Sequence, residues 1–183
     1  MHFEATPIPG VFLITLDQKT DERGHFARLW CRDELVRRGL TADLAQCNIS
    51  FNRCRGTLRG MHWQAAPHEE AKMVRCNRGA LYDVVLDLRP QSPSYQRWFA
   101  TELSQDNARL VYIPEGCAHG FQTLQDNTEI LYFISVPYAP ASARGVRWND
   151  PAFGIVWPAI EMNERSICKR DQNYSEFAAS PTP

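Results

Sequence analysis

Leu110-Val111-Tyr112-Ile113-Pro114-Glu115-Gly116-Cys117-Ala118-His119-Gly120-Phe121-Gln122-Thr123-Leu124-Gln125-Asp126-Asn127-Thr128-Glu129-Ile130-Leu131-Tyr132-Phe133-Ile134-Ser135-Val136 holds three short apolar runs, separated by Pro114-Glu115-Gly116 and Gln125-Asp126-Asn127. Turn residues recurring about every ten positions leave room for a strand and a reversal but not for a helix. Outward from this stretch, Val11–Leu16, Ala45–Phe51, Ala71–Cys76, Ala80–Leu88 and Arg97–Leu103 have the same β-branched and aromatic character as Leu110–Ile113, His119–Leu124 and Glu129–Val136. Further punctuation falls at Asp21-Glu22-Arg23-Gly24, Asn77-Arg78-Gly79 and Gln105-Asp106-Asn107. The pattern predicts an all-β antiparallel sandwich or barrel rather than alternating βαβ units. A short peripheral helix is predicted over Arg32–Arg38, where Leu35 and Val36 sit among charges and Gly39 supplies a stop. From Pro137 the chain turns rich in Pro, Ala, Ser and Trp, which reads as a loop-rich flank lying on the sheets. A single domain is expected over residues 1–175, with residues 176–183 as a flexible tail.

Composition narrows the function. The 183 residues carry 20 Lys and Arg against 21 Asp and Glu, a net charge of −1, so there is no global field to hold a nucleic acid. No apolar run reaches the ~18 residues of a membrane helix. Met1–Pro7 has neither a basic start nor an apolar core of a secretory signal, so the cytoplasm is the expected location. The six cysteines are scattered with no Cys-x-x-Cys pair, so neither a zinc framework nor a redox motif is encoded, and most are expected as small reduced core residues.

Two of the five histidines stand within two residues of a glycine, beside strand-like runs: His62 in Arg59-Gly60-Met61-His62-Trp63-Gln64, and His119 in Cys117-Ala118-His119-Gly120-Phe121. No His-x-His occurs and Gln64 stands two residues after His62, so a metal site is not expected. Arg59 beside Gly60 suits an anion, because glycine permits close approach and a guanidinium fork matches phosphate oxygens. Taken singly, Arg23 and Lys72 read as solvated cations, Tyr132 and Tyr138 as strand tyrosines with wet hydroxyls, and Asp171 as a loop carboxylate.

Together the words are more specific. Asp21-Glu22-Arg23-Gly24-His25-Phe26, Gln46-Cys47-Asn48-Ile49-Ser50, Leu58-Arg59-Gly60-Met61-His62-Trp63-Gln64, Lys72, Gly79 to Asp87, Ile113 to Phe121, Tyr132, Tyr138, Trp148-Asn149-Asp150-Pro151, Ile155-Val156-Trp157-Pro158 and Ser166 to Asp171 occur in that order. The series resembles the dTDP-4-dehydrorhamnose 3,5-epimerase family over roughly residues 1–175. The resemblance implies a cupin-type jelly roll with a few short peripheral helices. It also implies a homodimer whose N-terminal strands pair across the interface, and no metal or organic cofactor. The implied reaction is epimerisation at C3 and C5, beside the ketone of a nucleotide-linked 4-keto-6-deoxyhexose, in deoxysugar synthesis of the rhamnose type.

Such chemistry needs a base at carbon, a donor at the carbonyl oxygen where charge collects, and an acid on the opposite face. By the resemblance His62 is the base, Asp171 pairs with its other ring nitrogen, Tyr132 returns the proton, Lys72 is the donor at the enolate oxygen, and His119 supports the network. Arg23 and Arg59 are assigned to the diphosphate, Phe26 to stacking on the nucleotide base, Gln46 and Asn48 to polar contacts along the ligand, and Tyr138 to the diphosphate or sugar. Arg23 and Phe26 are expected to serve a neighbouring subunit's site. Two positions depart from the family: Arg28 stands where a glutamate is usual, and Pro137 precedes Tyr138 where an aromatic or small polar residue is typical. Beside the double epimerase, a single-centre 3- or 5-epimerase acting on the same or another nucleotide sugar, a related sugar isomerase of the same fold and a non-catalytic nucleotide-sugar-binding cupin stay open. The nucleotide base and the final sugar are not encoded in these motifs.

Overall fold

Alternation along each strand decides which side chains enter the interior, and the eight predicted runs all become strands on that basis. In the computed structural model, which describes residues 1–161 and 164–177, they are β2 (Phe12–Thr15), β5 (Gln46–Asn52), β7 (Lys72–Arg78), β8 (Ala80–Asp87), β9 (Trp98–Ser104), β10 (Arg109–Ile113), β11 (Cys117–Thr123) and β12 (Thr128–Ile134). The remaining strands are β1 (His2–Ala5), β3 (Lys19–Asp21), β4 (Gly24–Phe26), β6 (Thr57–Gln64), β13 (Ala143–Gly145) and β14 (Ser166–Ile167). Two short helices complete the described residues, α1 (Arg32–Val36) and α2 (Lys169–Gln172). Of the expected tail over residues 176–183, residues 178–183 lie outside the described residues. Phe177 packs on Phe153 with ring centroids 4.8 Å apart, and its N–H donates to Asp150 Oδ2 at 2.8 Å.

The strands form two sheets, β1-β2-β10-β7-β12-β5 and β13-β6-β11-β8-β9, with β14 added in parallel to β6 and β3-β4 as a separate hairpin. Inward-facing Leu13, Val74, Val85, Leu103, Val111, Phe121 and Ile130 fill the space between the sheets. Residues on the opposite parity, Ile14, Met73, Leu110 and Tyr112, pack outward against Leu35 of α1 and Ala42. On the other side Met61, Val84, Leu86 and Ala118 are covered by Val146 and Phe153 from the flank after Pro137. The predicted jelly-roll sandwich is therefore present, with the C-terminal flank as an outer layer. Helix α1 carries Asp33 and Glu34 in its first turn and is followed by a turn to Gly39, whose φ of +69° lets the chain reverse.

The cysteine expectation is corrected. All six are free thiols, but only Cys76 and Cys117 are buried, while Cys47, Cys54 and Cys168 are exposed and Cys31 is half-buried. Cys47 lies on edge strand β5, and Cys54 and Cys168 fall outside the strands and helices, where their side chains face outward.

Candidate active site

One end of the sandwich is not filled with apolar side chains. Between the inner faces of β5, β7 and β12 on one sheet and β6 and β11 on the other lies an open cavity of about 300 Å³. Its lining includes Asn48, Arg59, His62, Lys72, His119 and Tyr132, all six foreseen from the sequence. Period-two alternation explains most of this: Lys72 shares a face with core residues Val74 and Cys76, and Tyr132 shares one with Ile130.

Arg59 and His62 are three residues apart, and a regular strand would point them to opposite faces. The β6–β11 pairing resolves this. His62 pairs with His119 and Arg59 with Phe121, so β6 spends one more residue than β11 over the same step. That extra residue is a β-bulge, which returns Arg59 to the cavity side. Gly60 sits within it at φ +130°, and a Cβ there would fall 2.5 Å from the Gly120 Cα. The glycine beside Arg59 thus serves a close approach of two backbones, and its N–H donates to Asp171 Oδ2 at 3.1 Å.

Asp171, on α2, is 1% exposed and its Oδ1 lies 2.8 Å from His62 Nε2, while the His62 side chain remains 30% exposed toward the cavity. Burial alone would raise the Asp171 carboxyl. The His62 hydrogen bond and charge, the Gly60 N–H and the Arg170 guanidinium outweigh it and hold the carboxyl well below the usual carboxylate range. An ionised carboxylate only accepts, so the proton of the neutral imidazole is on Nε2 and the lone pair is on Nδ1. Arg170, which sequence reading passed over, also lines the cavity. Its Nε donates to Asp171 Oδ1 at 3.1 Å and its Nη2 comes within 3.2 Å of His62 Nε2. Because Nε2 is already donating, guanidinium and imidazole act as two donors to one carboxylate.

Across the cavity, burial pushes the Tyr132 hydroxyl well above its ordinary value, the negative charge of Asp83 adds to this, and Arg59 opposes it. The hydroxyl therefore stays protonated through neutral pH, as a proton donor must. Arg59 Nε donates to Asn52 Oδ1 at 2.9 Å, leaving its two terminal nitrogens without partners among the described residues. His119 Nε2 meets Asp83 Oδ2 at 2.7 Å, and the His119 ring stands edge-on to Tyr132 with centroids 5.9 Å apart.

Four expected ligand-binding residues do not reach this cavity in their own chain. Gln46 Oε1 accepts the Tyr138 N–H at 2.8 Å, which ties the Tyr138 loop to β5, and Tyr138 itself is exposed. Arg23 and Phe26 lie on the β3–β4 hairpin beside a separate hollow, where Arg23 pairs with Asp21 at 2.6 Å and Phe26 is 76% exposed. Among the described residues no three His, Cys, Asp or Glu side chains converge as a metal-ligand set, and no helix is long and apolar enough to cross a membrane.

The sequence matches the model of the dTDP-4-dehydrorhamnose 3,5-epimerase family over residues 5–179. The chain belongs to that family. A dTDP-4-dehydrorhamnose 3,5-epimerase of Sinorhizobium fredii is 38% identical over 99% of this chain and 92% of its own length. A dTDP-4-dehydrorhamnose 3-epimerase of Streptomyces niveus is 40% identical over 86% of this chain and 76% of its own. The crystal structure of the dTDP-4-dehydrorhamnose 3,5-epimerase from Elizabethkingia anophelis superposes with a TM-score of 0.92 at 32% identity, covering 97% of this chain and 96% of that one. The shared fold spans both sheets and the C-terminal flank, so this epimerase-family chain is similar to those proteins as a whole and not only at one motif.

Proposed function

We propose that this chain epimerises dTDP-4-dehydro-6-deoxy-D-glucose at C3 and C5, giving dTDP-4-dehydro-L-rhamnose, as a cofactor-independent isomerase of deoxysugar synthesis. The observation that carries the reading is the opposition of His62, backed by Asp171 on one sheet, to Tyr132 and Lys72 on the other, across one cavity. A proton α to a ketone becomes removable when the electron pair left on carbon spreads to the carbonyl oxygen. Nδ1 of His62 takes that proton, and the imidazolium formed is stabilised by Asp171. A Lys72 N–H donates to the enolate oxygen. The Tyr132 O–H then returns a proton to the opposite face of the same carbon, which inverts it, and solvent restores tyrosine and imidazole. Arg59 offers its free guanidinium nitrogens to the diphosphate, and Asn48 contacts the ligand from β5.

Arg23 and Phe26, exposed on their hairpin, are read as reaching a second subunit's cavity for diphosphate and base, with the N-terminal strands exchanging in a homodimer. Gln46 and Tyr138 close the mouth on the sugar and diphosphate side. Residues 1–175 act as one unit in the cytoplasm. Incubation with dTDP-4-keto-6-deoxyglucose in deuterated water, followed by NMR and mass spectrometry, tests the reaction. Deuterium at both C3 and C5 is expected, and no exchange at either carbon with this or other nucleotide analogues would leave a binding protein. The 40% identical relative named a 3-epimerase supports a second reading, inversion of one centre. Deuterium confined to one carbon selects it.

A further inference from the structure

Glu70 falls in His68-Glu69-Glu70-Ala71-Lys72, a run that reads as solvated charge. The fold buries it. Glu70 Oε1 lies 2.7 Å from Lys72 Nζ, and the two side chains are each 9% exposed. Lys72 Nζ also reaches the His62 carbonyl oxygen at 3.5 Å. An ammonium has three N–H donors, so the third has no acceptor among the described residues, and Lys72 lines the cavity whereas Glu70 does not.

We infer that Glu70 is a positioning residue for the reaction, holding the Lys72 head group fixed so that its third N–H meets the enolate oxygen. The inference rests on the role of Lys72 proposed above. A lysine stem is long and flexible, and a buried ammonium without a counter-charge is destabilised by its lost hydration. The buried carboxylate answers both problems. It anchors the head group from outside the cavity, and donors already in place spend nothing on reorganisation when charge develops. The second anchor, the carbonyl of His62, belongs to the residue read as the base, so donor and base are set relative to one another through one backbone position.

Glu70→Gln keeps an oxygen acceptor and removes the charge. Its kcat for deuterium wash-in is expected to fall about tenfold or more with KM within about threefold, since the oxyanion and not the bound ground state is affected. Glu70→Asp is expected to recover part of the lost kcat. The chain has three lysines, Lys19, Lys72 and Lys169, so the ammonium spectrum of ¹⁵N-lysine-labelled protein is readily assigned. The Lys72 ammonium should give a slowly exchanging signal in the unmodified protein and lose it in Glu70→Gln. Wild-type kcat in a folded Glu70→Gln protein would overturn the inference. Should that variant fail to fold, absence of a protected Lys72 signal in the unmodified protein would overturn it as well. Lys72→Met separates the two readings: wild-type kcat there removes Lys72 from the chemistry, whereas a large loss there with Glu70→Gln unaffected removes Glu70 alone.

Discussion

His62 and His119 are cross-strand partners, each bonded through Nε2 to an aspartate, at 2.8 Å and 2.7 Å, but the two pairs have different surroundings. His62 is 30% exposed and its aspartate is surrounded by donors: the imidazole and Arg170 share Oδ1, and the Gly60 N–H takes Oδ2. His119 is 5% exposed, and Asp83 has one bonded oxygen while its Oδ1 is buried without a partner among the described residues. The first pair is open on the imidazole side and saturated on the carboxylate side, which suits the base role proposed for His62. The second pair is closed on one side and unsaturated on the other, which suits support of Tyr132 from behind.

Substitution of the two histidines tests this contrast most severely. His62→Asn is expected to lower deuterium exchange by about 10³-fold with dTDP affinity within about threefold, and His119→Asn by no more than about tenfold. Equal loss in both would erase the distinction. Asp171→Asn, measured by kcat, should cost about 10²–10⁴-fold through loss of the oriented tautomer. Asp83→Asn should instead be read in thermal unfolding, at about 1–3 kcal/mol, since it disturbs a buried hydrogen bond.

A pH titration of stability sharpens the comparison from outside the site. The Asp87 carboxyl is fully buried and would be raised by burial, but Arg89, Ser92 and Ser94 hold it down at about 2. Its folded value lies below its unfolded value of 3.8, so its contribution is complete above that pH and is lost as pH falls toward 2. Urea melts at pH 5 and pH 3 should show Asp87→Asn losing less stability on acidification than the unmodified chain. Asp171 has the same sign, so Asp171→Asn should also flatten the acid limb. The smallest effect is expected for Arg170→Gln, a change of about threefold or less in kcat, because its guanidinium is largely exposed and screened.

The sequence made the interior strands legible because period-two alternation and turn residues agree in them. Strand β6 escaped that reading, although its motif was the one that mattered most: polar Thr57 and Arg59 and the extra residue at Gly60 break the alternation by which strands are recognised. Asp171 read as a loop carboxylate because α2 is four residues long, too short for any periodicity, and its burial arises from packing against residues more than a hundred positions earlier. Arg170 and Glu70 went unread for a related reason. A charge next to another charge looks solvated until the fold supplies the partner that buries it. The resemblance placed Arg23 and Phe26 at a ligand, and in their own chain they lie away from the cavity.

The bulge in β6 makes strand parity a working part of the site. A strand that kept all eight residues from Thr57 to Gln64 but ran without the bulge would hold Arg59 facing inward and turn the imidazole out toward the layer that holds Met61. On the roles proposed for Arg59 and His62, such a chain would retain its grip on a diphosphate while losing its means of removing a proton, and would sequester nucleotide sugar without turning it over. The spacing Arg-x-x-His is thus a reading frame that the bulge keeps in phase, and loss of the bulge at constant length would separate capture from conversion.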